Sequence, residues 1–192
     1  MIPKLDDVPV IEIGIHNSIS NTMLACWKKY KNNEMNLYDI SPTFTFNGIQ
    51  SQNTLNLSNF QTDNNFQECL DNLLMIPESI LGEGLYYHWV HFVEYYRGGY
   101  QEIHNHAHKE DYSLILYLTT CRGGETYFNI KPPKVLLSPT GDIIKDEGTK
   151  LSFSPKKNNM LLFKSDINHG ANKTSSWFRN KTVLVCGLKK LS

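Results

Sequence analysis

The sequence predicts a mainly β protein in which an N-terminal helical flank precedes a β-sandwich or jelly roll. From residue 85 onward, short apolar and aromatic segments alternate with turn residues, which is the pattern of an all-β sandwich or barrel. Before residue 85, two segments have apolar side chains at helical spacing. A chain of 192 residues can bury a sizeable core. We expect one domain, 1–192, with the helical and loop flank at 1–84 and the β core at 85–192.

The flank contains two predicted helices. The first begins at Asn17 or Ser18, either of which could cap it, and runs to about Tyr30. The second covers Phe66–Leu74, and Pro77 lies beyond its predicted end. These two helices are expected to cover one face of the β core.

The core is predicted to be a series of short strands. The first is rich in aromatic and β-branched residues and is separated from the second by a turn at Arg97–Gly99. The predicted strands are Leu85–Tyr96, Tyr100–His106, Ser113–Leu118, Glu125–Phe128, Leu151–Phe153, Met160–Phe163 and Thr182–Cys186.

Charge and composition exclude several classes of protein. Lysine plus arginine and aspartate plus glutamate each number 19, so the formal net charge is zero and no nucleic-acid partner is expected. No apolar run approaches the length of a membrane span, and Met1–Asp7 lacks the pattern of a secretory signal. The four cysteines are widely scattered, which indicates reduced thiols. We therefore expect a cytoplasmic protein without a membrane partner.

A histidine-rich segment is the strongest functional signal. His104, His106 and His108 fall within five residues, and Glu110 follows two positions later. Alternate side chains of an extended segment point to the same face, so His104 and His106 would converge. Imidazoles that converge with a carboxylate are typical ligands of a first-row transition metal. The segment therefore predicts a metal site.

A second group of candidate residues lies near the end of the chain. His169 follows an apolar strand and a short turn, and strands distant in sequence can lie side by side in a barrel. Arg179 opens the run Arg179–Val185 that leads into the last predicted strand, and Lys181 shares its face by alternation. A cation on an otherwise apolar strand needs an anionic partner, unless the strand is an exposed edge.

Together these pieces resemble a known family. The order Tyr-x-Gly-Gly, His-x-His, Tyr-Leu, Gly-Gly-Glu-Thr-x-Phe, Pro-Lys-Lys, Leu-Leu-Phe, His-Gly and Arg is similar to the iron(II)- and 2-oxoglutarate-dependent oxygenases. Within them it looks most like the prolyl 4-hydroxylase-like branch, including small phage and bacterial proteins with His-x-His. The resemblance covers about residues 86 to 190.

The resemblance implies a fold and a ligand set. The family fold is a double-stranded β-helix, a cupin-like jelly-roll barrel, with the metal near one open end. Carried over by position, His104 is the first metal ligand and His169 the distal one. Arg179 would pair with the far carboxylate of 2-oxoglutarate, because its planar fork binds carboxylates in bidentate fashion.

Three further residues are implied in cosubstrate binding. Tyr117 matches a position that often donates a hydroxyl to the same carboxylate. Tyr96 precedes the Gly-Gly pair, where related enzymes line the cosubstrate pocket. Lys181 shares the predicted face of Arg179.

The sequence departs from the family at one metal ligand. The expected Asp or Glu is His106, and three interpretations follow. His106 itself binds the metal, Glu110 or Asp111 supplies the carboxylate, or the motif is shifted to His108–Glu110. We favour His104 and His106 with His169, because the first two share a strand face.

A cupin is the rival interpretation, since Gly98, His104, His106, Glu110 and His169 also match cupin spacing. The cupin Pro-x-Gly signature before the last histidine is missing. A cupin-type dioxygenase or isomerase without 2-oxoglutarate is therefore the alternative, and a metal-free jelly-roll module that binds a sugar or a partner is a third hypothesis.

The first hypothesis is a 2-oxoglutarate-dependent dioxygenase, a hydroxylase. It would use Fe(II), oxygen and 2-oxoglutarate, with ascorbate as a candidate accessory. Its substrate would be a peptide or protein, with a prolyl residue as one option, or a small molecule.

Overall fold

A computed structural model describes Leu5 and residues 8–31, 45–131, 134–137, 143–146 and 148–191. Its helices are α1 (Asn17–Lys31), α2 (Ser58–Gln61) and α3 (Asn64–Leu81). Its strands are β1 (Val10–Gly14), β2 (Thr45–Gln50), β3 (Leu85–His104), β4 (Tyr112–Tyr117), β5 (Thr126–Lys131), β6 (Lys134–Leu137), β7 (Ile143–Asp146), β8 (Thr149–Phe153), β9 (Asn159–Lys164), β10 (Asn168–Ala171) and β11 (Lys181–Lys190).

Nine of the described strands form one curled antiparallel sheet. Its order is β1-β9-β4-β11-β3-β10-β5-β8, with β2 added to β3, while β6 and β7 pair separately. The sequentially distant β3, β10 and β11 are neighbours, as a jelly roll requires. The predicted mainly β jelly roll with N-terminal helices is confirmed.

The sheet has a buried core on each face. One core lies under the helices and includes Trp27, whose ring stacks on Phe92 of β3 at a centroid distance of 5.2 Å. The other lies inside the curl and includes Phe128 and Phe163, whose rings are 4.8 Å apart. The inner core forms the floor beneath the candidate site.

The helices extend further than predicted. α3 begins at an Asp63 cap, whose side chain accepts a hydrogen bond from the backbone N–H of Phe66, and ends at Gly82 with a φ of 69°. Its predicted end before Pro77 is wrong, because buried Pro77 continues the helix. Packing of the apolar face therefore outweighs the helix-breaking preference of proline.

The flank also supplies two strands that were not predicted, and β3 differs from its prediction. β1 pairs with β9 and β2 pairs with β3. The predicted turn at Arg97–Gly99 is wrong, because β3 runs unbroken through these residues. β2 passes so close that a Cβ on Gly99 would lie 2.4 Å from the Asn47 carbonyl oxygen. The glycine pair thus admits a neighbouring strand instead of reversing the chain.

None of the described helices is long and apolar enough to cross a membrane. All four cysteines are free thiols.

Candidate metal centre and cosubstrate pocket

Three histidines converge at one end of the curled sheet. His104 ends β3 and lies directly opposite His169 of β10, so the antiparallel pairing sets their rings 4.3 Å apart. His106 lies two residues beyond β3, where its backbone N–H donates a 2.8 Å hydrogen bond to the Ser165 carbonyl. One potential ligand nitrogen from each ring lies within 4.8 Å of the other two. The chain therefore brings together the three histidines favoured from the sequence.

The ring orientations suit a shared ion. Nδ1 of His104 lies 2.9 Å from the Glu102 carbonyl oxygen, and Nδ1 of His169 lies 2.9 Å from that of Ile167. Nδ1 of His106 lies 3.3 Å from Oε1 of Glu110. Each Nδ1 thus faces an acceptor, which directs Nε2 of each ring toward the common space.

Burial keeps the three rings neutral. It lowers the pKa of His106 to about 4, with the neighbouring His104 adding to the effect. Burial likewise lowers the pKa of His169 to about 3, and the pKa of His104 also falls. Metal ions bind the neutral imidazole, so this donor set fits a divalent first-row ion at neutral pH.

The other candidates in the histidine segment lie outside this group. His108 is exposed, in a turn where its φ is 70°. Asp111 is also exposed, and its Oδ2 accepts a hydrogen bond from the Lys190 backbone N–H at 3.0 Å. Glu110 is buried but lies on the Nδ1 side of His106, outside the cluster of ligand atoms. The shifted motif and the Asp111 alternative are thus not favoured by position.

A cavity of about 350 Å³ opens beside the three histidines. Trp89 and His91 of β3 line it with Ile115 of β4 and Val185 of β11, and Gln101 stands at its inner side. The rings of Trp89 and His106 are 5.4 Å apart, so the tryptophan forms a wall of the metal centre. The cavity has room for a small ligand next to the metal position.

A buried cation lies behind Gln101. The Gln101 amide lies 3.5 Å from Nε2 of His104, and its Oε1 accepts a 3.1 Å hydrogen bond from the Tyr95 hydroxyl. Nζ of Lys181 lies 4.8 Å from the centroid of the Tyr95 ring and 5.8 Å from that of Tyr117. Gln101 and Tyr95 therefore connect the metal centre to Lys181.

Two of the predicted cosubstrate residues are displaced from this region. Arg179 is exposed, because β11 begins at Lys181 and not at residue 179. Its predicted position on a buried strand is wrong, and Lys181 occupies that position. Tyr96 lies on the opposite face of β3 from Tyr95, so its position does not favour a place in the cosubstrate pocket, which stays a prediction.

Tyr117 is buried in the inner core and is not one of the residues that line the cavity. Its hydroxyl donates a 2.7 Å hydrogen bond to Oγ1 of Thr126, and burial raises its pKa. The residues missed from the sequence are Tyr95, Gln101 and Trp89. Alternation from His91 and Val93 along β3 would have indicated Tyr95 as the inward-facing tyrosine.

No protein-family model matches the sequence, and no curated protein sequence matches it either. Solved structures do match the fold. A prolyl-4-hydroxylase from Pseudomonas putida aligns with a TM-score of 0.66 at 14% identity, covering 98% of this chain and 96% of that chain. A Trichoplax adhaerens prolyl hydroxylase was solved in complex with a peptide fragment of the hypoxia inducible factor oxygen degradation domain. It aligns with a TM-score of 0.64 at 14% identity, covering 97% of this chain and 85% of that chain.

A third structure is that of HygX from Streptomyces hygroscopicus with nickel, 2-oxoglutarate and hygromycin B bound. It aligns with a TM-score of 0.63 at 11% identity, covering 96% of this chain and 84% of that chain. These likenesses extend over almost the whole chain at low identity. The chain therefore has the jelly-roll fold of the prolyl hydroxylases and other 2-oxoglutarate- and iron(II)-dependent oxygenases.

Proposed function

We propose that this protein is an iron(II)- and 2-oxoglutarate-dependent oxygenase that hydroxylates its substrate. The observation that carries the proposal is the pairing of three convergent histidines with a buried lysine behind them in one jelly roll. The three imidazoles would hold the metal, and Lys181 would receive the far carboxylate of 2-oxoglutarate. Iron(II) and 2-oxoglutarate, when bound, would activate oxygen, which is the oxidant in the hydroxylation.

Lys181 is better suited to the cosubstrate than Arg179. It is fully enclosed, with its Nζ donating a 2.8 Å hydrogen bond to the Gly124 carbonyl, whereas Arg179 is on the surface. A buried ammonium is costly without an anion, and a dicarboxylate would provide one. The Tyr95 and Tyr117 rings would pack against the aliphatic part of the cosubstrate and exclude water from the ion pair.

The substrate would enter the cavity lined by Trp89 and His91. The neighbouring structures bind a peptide in one case and hygromycin B in another, so we propose a peptide or a small molecule as substrate. A cavity of about 350 Å³ accommodates one side chain or a compact molecule. A prolyl side chain is one candidate, with ascorbate as an accessory reductant. The four free cysteines support a cytoplasmic location.

The cupin alternative is less well supported. It requires Glu110 as a fourth ligand, and Glu110 lies outside the cluster of ligand nitrogens. It also gives Lys181 no role.

The decisive experiment is an anaerobic titration of the iron(II)-loaded protein with 2-oxoglutarate. The chelate should give a weak visible charge-transfer band in the wild type and in the Arg179→Ala variant. The band should require a much higher 2-oxoglutarate concentration in Lys181→Ala. If the wild type binds iron but develops no band and has no affinity for 2-oxoglutarate, the oxygenase proposal is overturned and the cupin alternative gains support.

A further inference from the structure

A buried carboxylate stands directly behind one of the three histidines. The Glu110 side chain is 0% exposed, and Oε1 lies 3.3 Å from Nδ1 of His106. Within the described part of the chain, neither carboxylate oxygen makes a well-aligned hydrogen bond. Burial raises the pKa of Glu110, and the nearby Trp89 indole N–H offsets only part of this effect. Buried polar groups normally have hydrogen-bond partners, so a buried carboxylate that faces an imidazole in this way requires an explanation.

The position of the Glu110 carboxylate behind His106 depends on a turn and on a glycine. The backbone N–H of Lys109 donates a 3.0 Å hydrogen bond to the His106 carbonyl, and His108 adopts a left-handed φ of 70°. This turn returns the chain so that residue 110 faces the ring of residue 106. On the opposite wall, a Cβ on Gly187 would lie 3.0 Å from Cδ of Glu110. The space for the carboxylate therefore depends on the absence of a side chain at Gly187.

The three ring partners differ in charge. His104 and His169 face neutral backbone carbonyls, whereas His106 faces a carboxylate. His106 is also the residue that occupies the carboxylate position of the two-histidine, one-carboxylate triad. We propose that Glu110 is a positioning residue that accepts a hydrogen bond from Nδ1–H of His106 and supplies, from behind the ring, the negative charge that the carboxylate of the triad would otherwise place on the metal.

This inference rests on the proposed metal site and adds a specific role to it. A carboxylate behind a ligand histidine fixes its tautomer and makes the metal-binding nitrogen more basic. Removing such a partner commonly costs about 10- to 100-fold in metal affinity. In the metal-free protein, by contrast, a buried charge without full hydrogen bonding is unfavourable. Glu110→Gln should therefore weaken metal binding while leaving metal-free stability unchanged or increased.

The test is a cobalt(II) titration, read by chelator competition and by the visible ligand-field spectrum. Wild type, Glu110→Gln and Glu68→Gln are compared, since Glu68 is exposed on α3 and its substitution makes the same charge change away from the metal centre. We expect Glu110→Gln to bind cobalt about 10- to 100-fold more weakly with an unchanged band shape. Glu68→Gln should match the wild type. Thermal unfolding of the metal-free proteins completes the comparison.

Each outcome has a defined meaning. Equal cobalt affinity in the wild type and Glu110→Gln would overturn the inference, and an altered spectrum would show that Glu110 is a direct ligand. A wild type that binds no cobalt would instead overturn the proposed metal centre. If Glu110→Gln does not fold, nitrogen-15 NMR of the zinc-loaded wild type decides. A proton on Nδ1 of His106 supports the inference, and a proton on Nε2 contradicts it.

Discussion

The ammonium of Lys181 donates a 2.8 Å hydrogen bond to the carbonyl oxygen of Gly124. Two aromatic rings, those of Tyr95 and Tyr117, face the same ammonium. Burial lowers the pKa of Lys181 from its ordinary 10.5 to about 8, so the lysine is still mostly protonated at neutral pH. The fold thus maintains a positive charge in an apolar setting, which is a good arrangement for binding an anion and a poor one for stability.

Substitution of this lysine should separate binding from folding. In Lys181→Met, the side chain keeps a similar length but loses the ammonium. Bound 2-oxoglutarate therefore loses a charge-assisted hydrogen bond worth about 1.5–3 kcal/mol, or roughly 10- to 100-fold in affinity. Stability should be unchanged or higher, because a buried charge is removed. Calorimetry with the manganese-loaded protein and thermal unfolding measure the two effects. Arg179→Met is the matched surface control, and an equal loss of affinity there would contradict the assignment.

The same lysine predicts a pH dependence. Affinity for 2-oxoglutarate should be constant below the Lys181 pKa of about 8 and fall as the ammonium loses its proton above it, by up to about tenfold per pH unit. Folding stability should change in the opposite direction. Between pH 8 and 10.5 the unfolded chain keeps a proton that the folded chain has released, so Lys181 makes stability rise with pH. In Lys181→Arg, any remaining affinity should not vary over this range, and a decline identical to that of the wild type would assign the effect to another group.

The histidine segment gives a further prediction. His106→Ala removes one of three ligands and should weaken cobalt binding by more than the Glu110 substitution does. His108→Ala should leave cobalt binding unchanged, because His108 is exposed in the turn. Competition with a chelator measures both constants. If His108→Ala proved the more damaging substitution, the metal would be bound by the shifted motif and not by the three-histidine cluster.

The positions of the histidines were easier to predict from the sequence than the positions of the residues proposed to bind the cosubstrate, for a physical reason. His104 and His169 occupy motif positions, and the pairing of β3 with β10 brings them together. Tyr95 and Tyr96 are adjacent in the sequence, and an error of one residue in a strand moves the predicted side chain to the opposite face of the sheet. Lys181 and Arg179 share a face by alternation, so only the observed start of β11 distinguishes them. Local patterns do not determine where a strand begins.

The position of Glu110 was beyond prediction for a different reason. Its approach to His106 depends on the left-handed φ of 70° at His108, and non-glycine residues adopt this conformation infrequently. The strand β10 was also missed, because its four residues follow a turn and include no large apolar side chain. β10 is held by its pairing with β3 and β5, and Glu110 packs against Gly187 of β11, so neither feature follows from local propensity.

The glycine opposite Glu110 gives the last prediction. A Cβ on Gly187 would lie 2.4 Å from Nε1 of Trp89 and 3.0 Å from Cδ of Glu110, so Gly187→Ala must displace one or both side chains. Overpacking of this kind typically costs about 1–3 kcal/mol of stability. Because Trp89 and Glu110 both adjoin His106, we also expect weaker cobalt binding.

The control for this substitution is Gly14→Ala at the end of β1, where an added Cβ meets nothing within 4 Å. Denaturant unfolding and cobalt competition on both variants separate general from local effects. Gly14→Ala should change neither quantity appreciably. If Gly187→Ala bound cobalt as tightly as the wild type despite its lower stability, the wall formed by Trp89 and Glu110 would be structural only, and the metal centre would not depend on it.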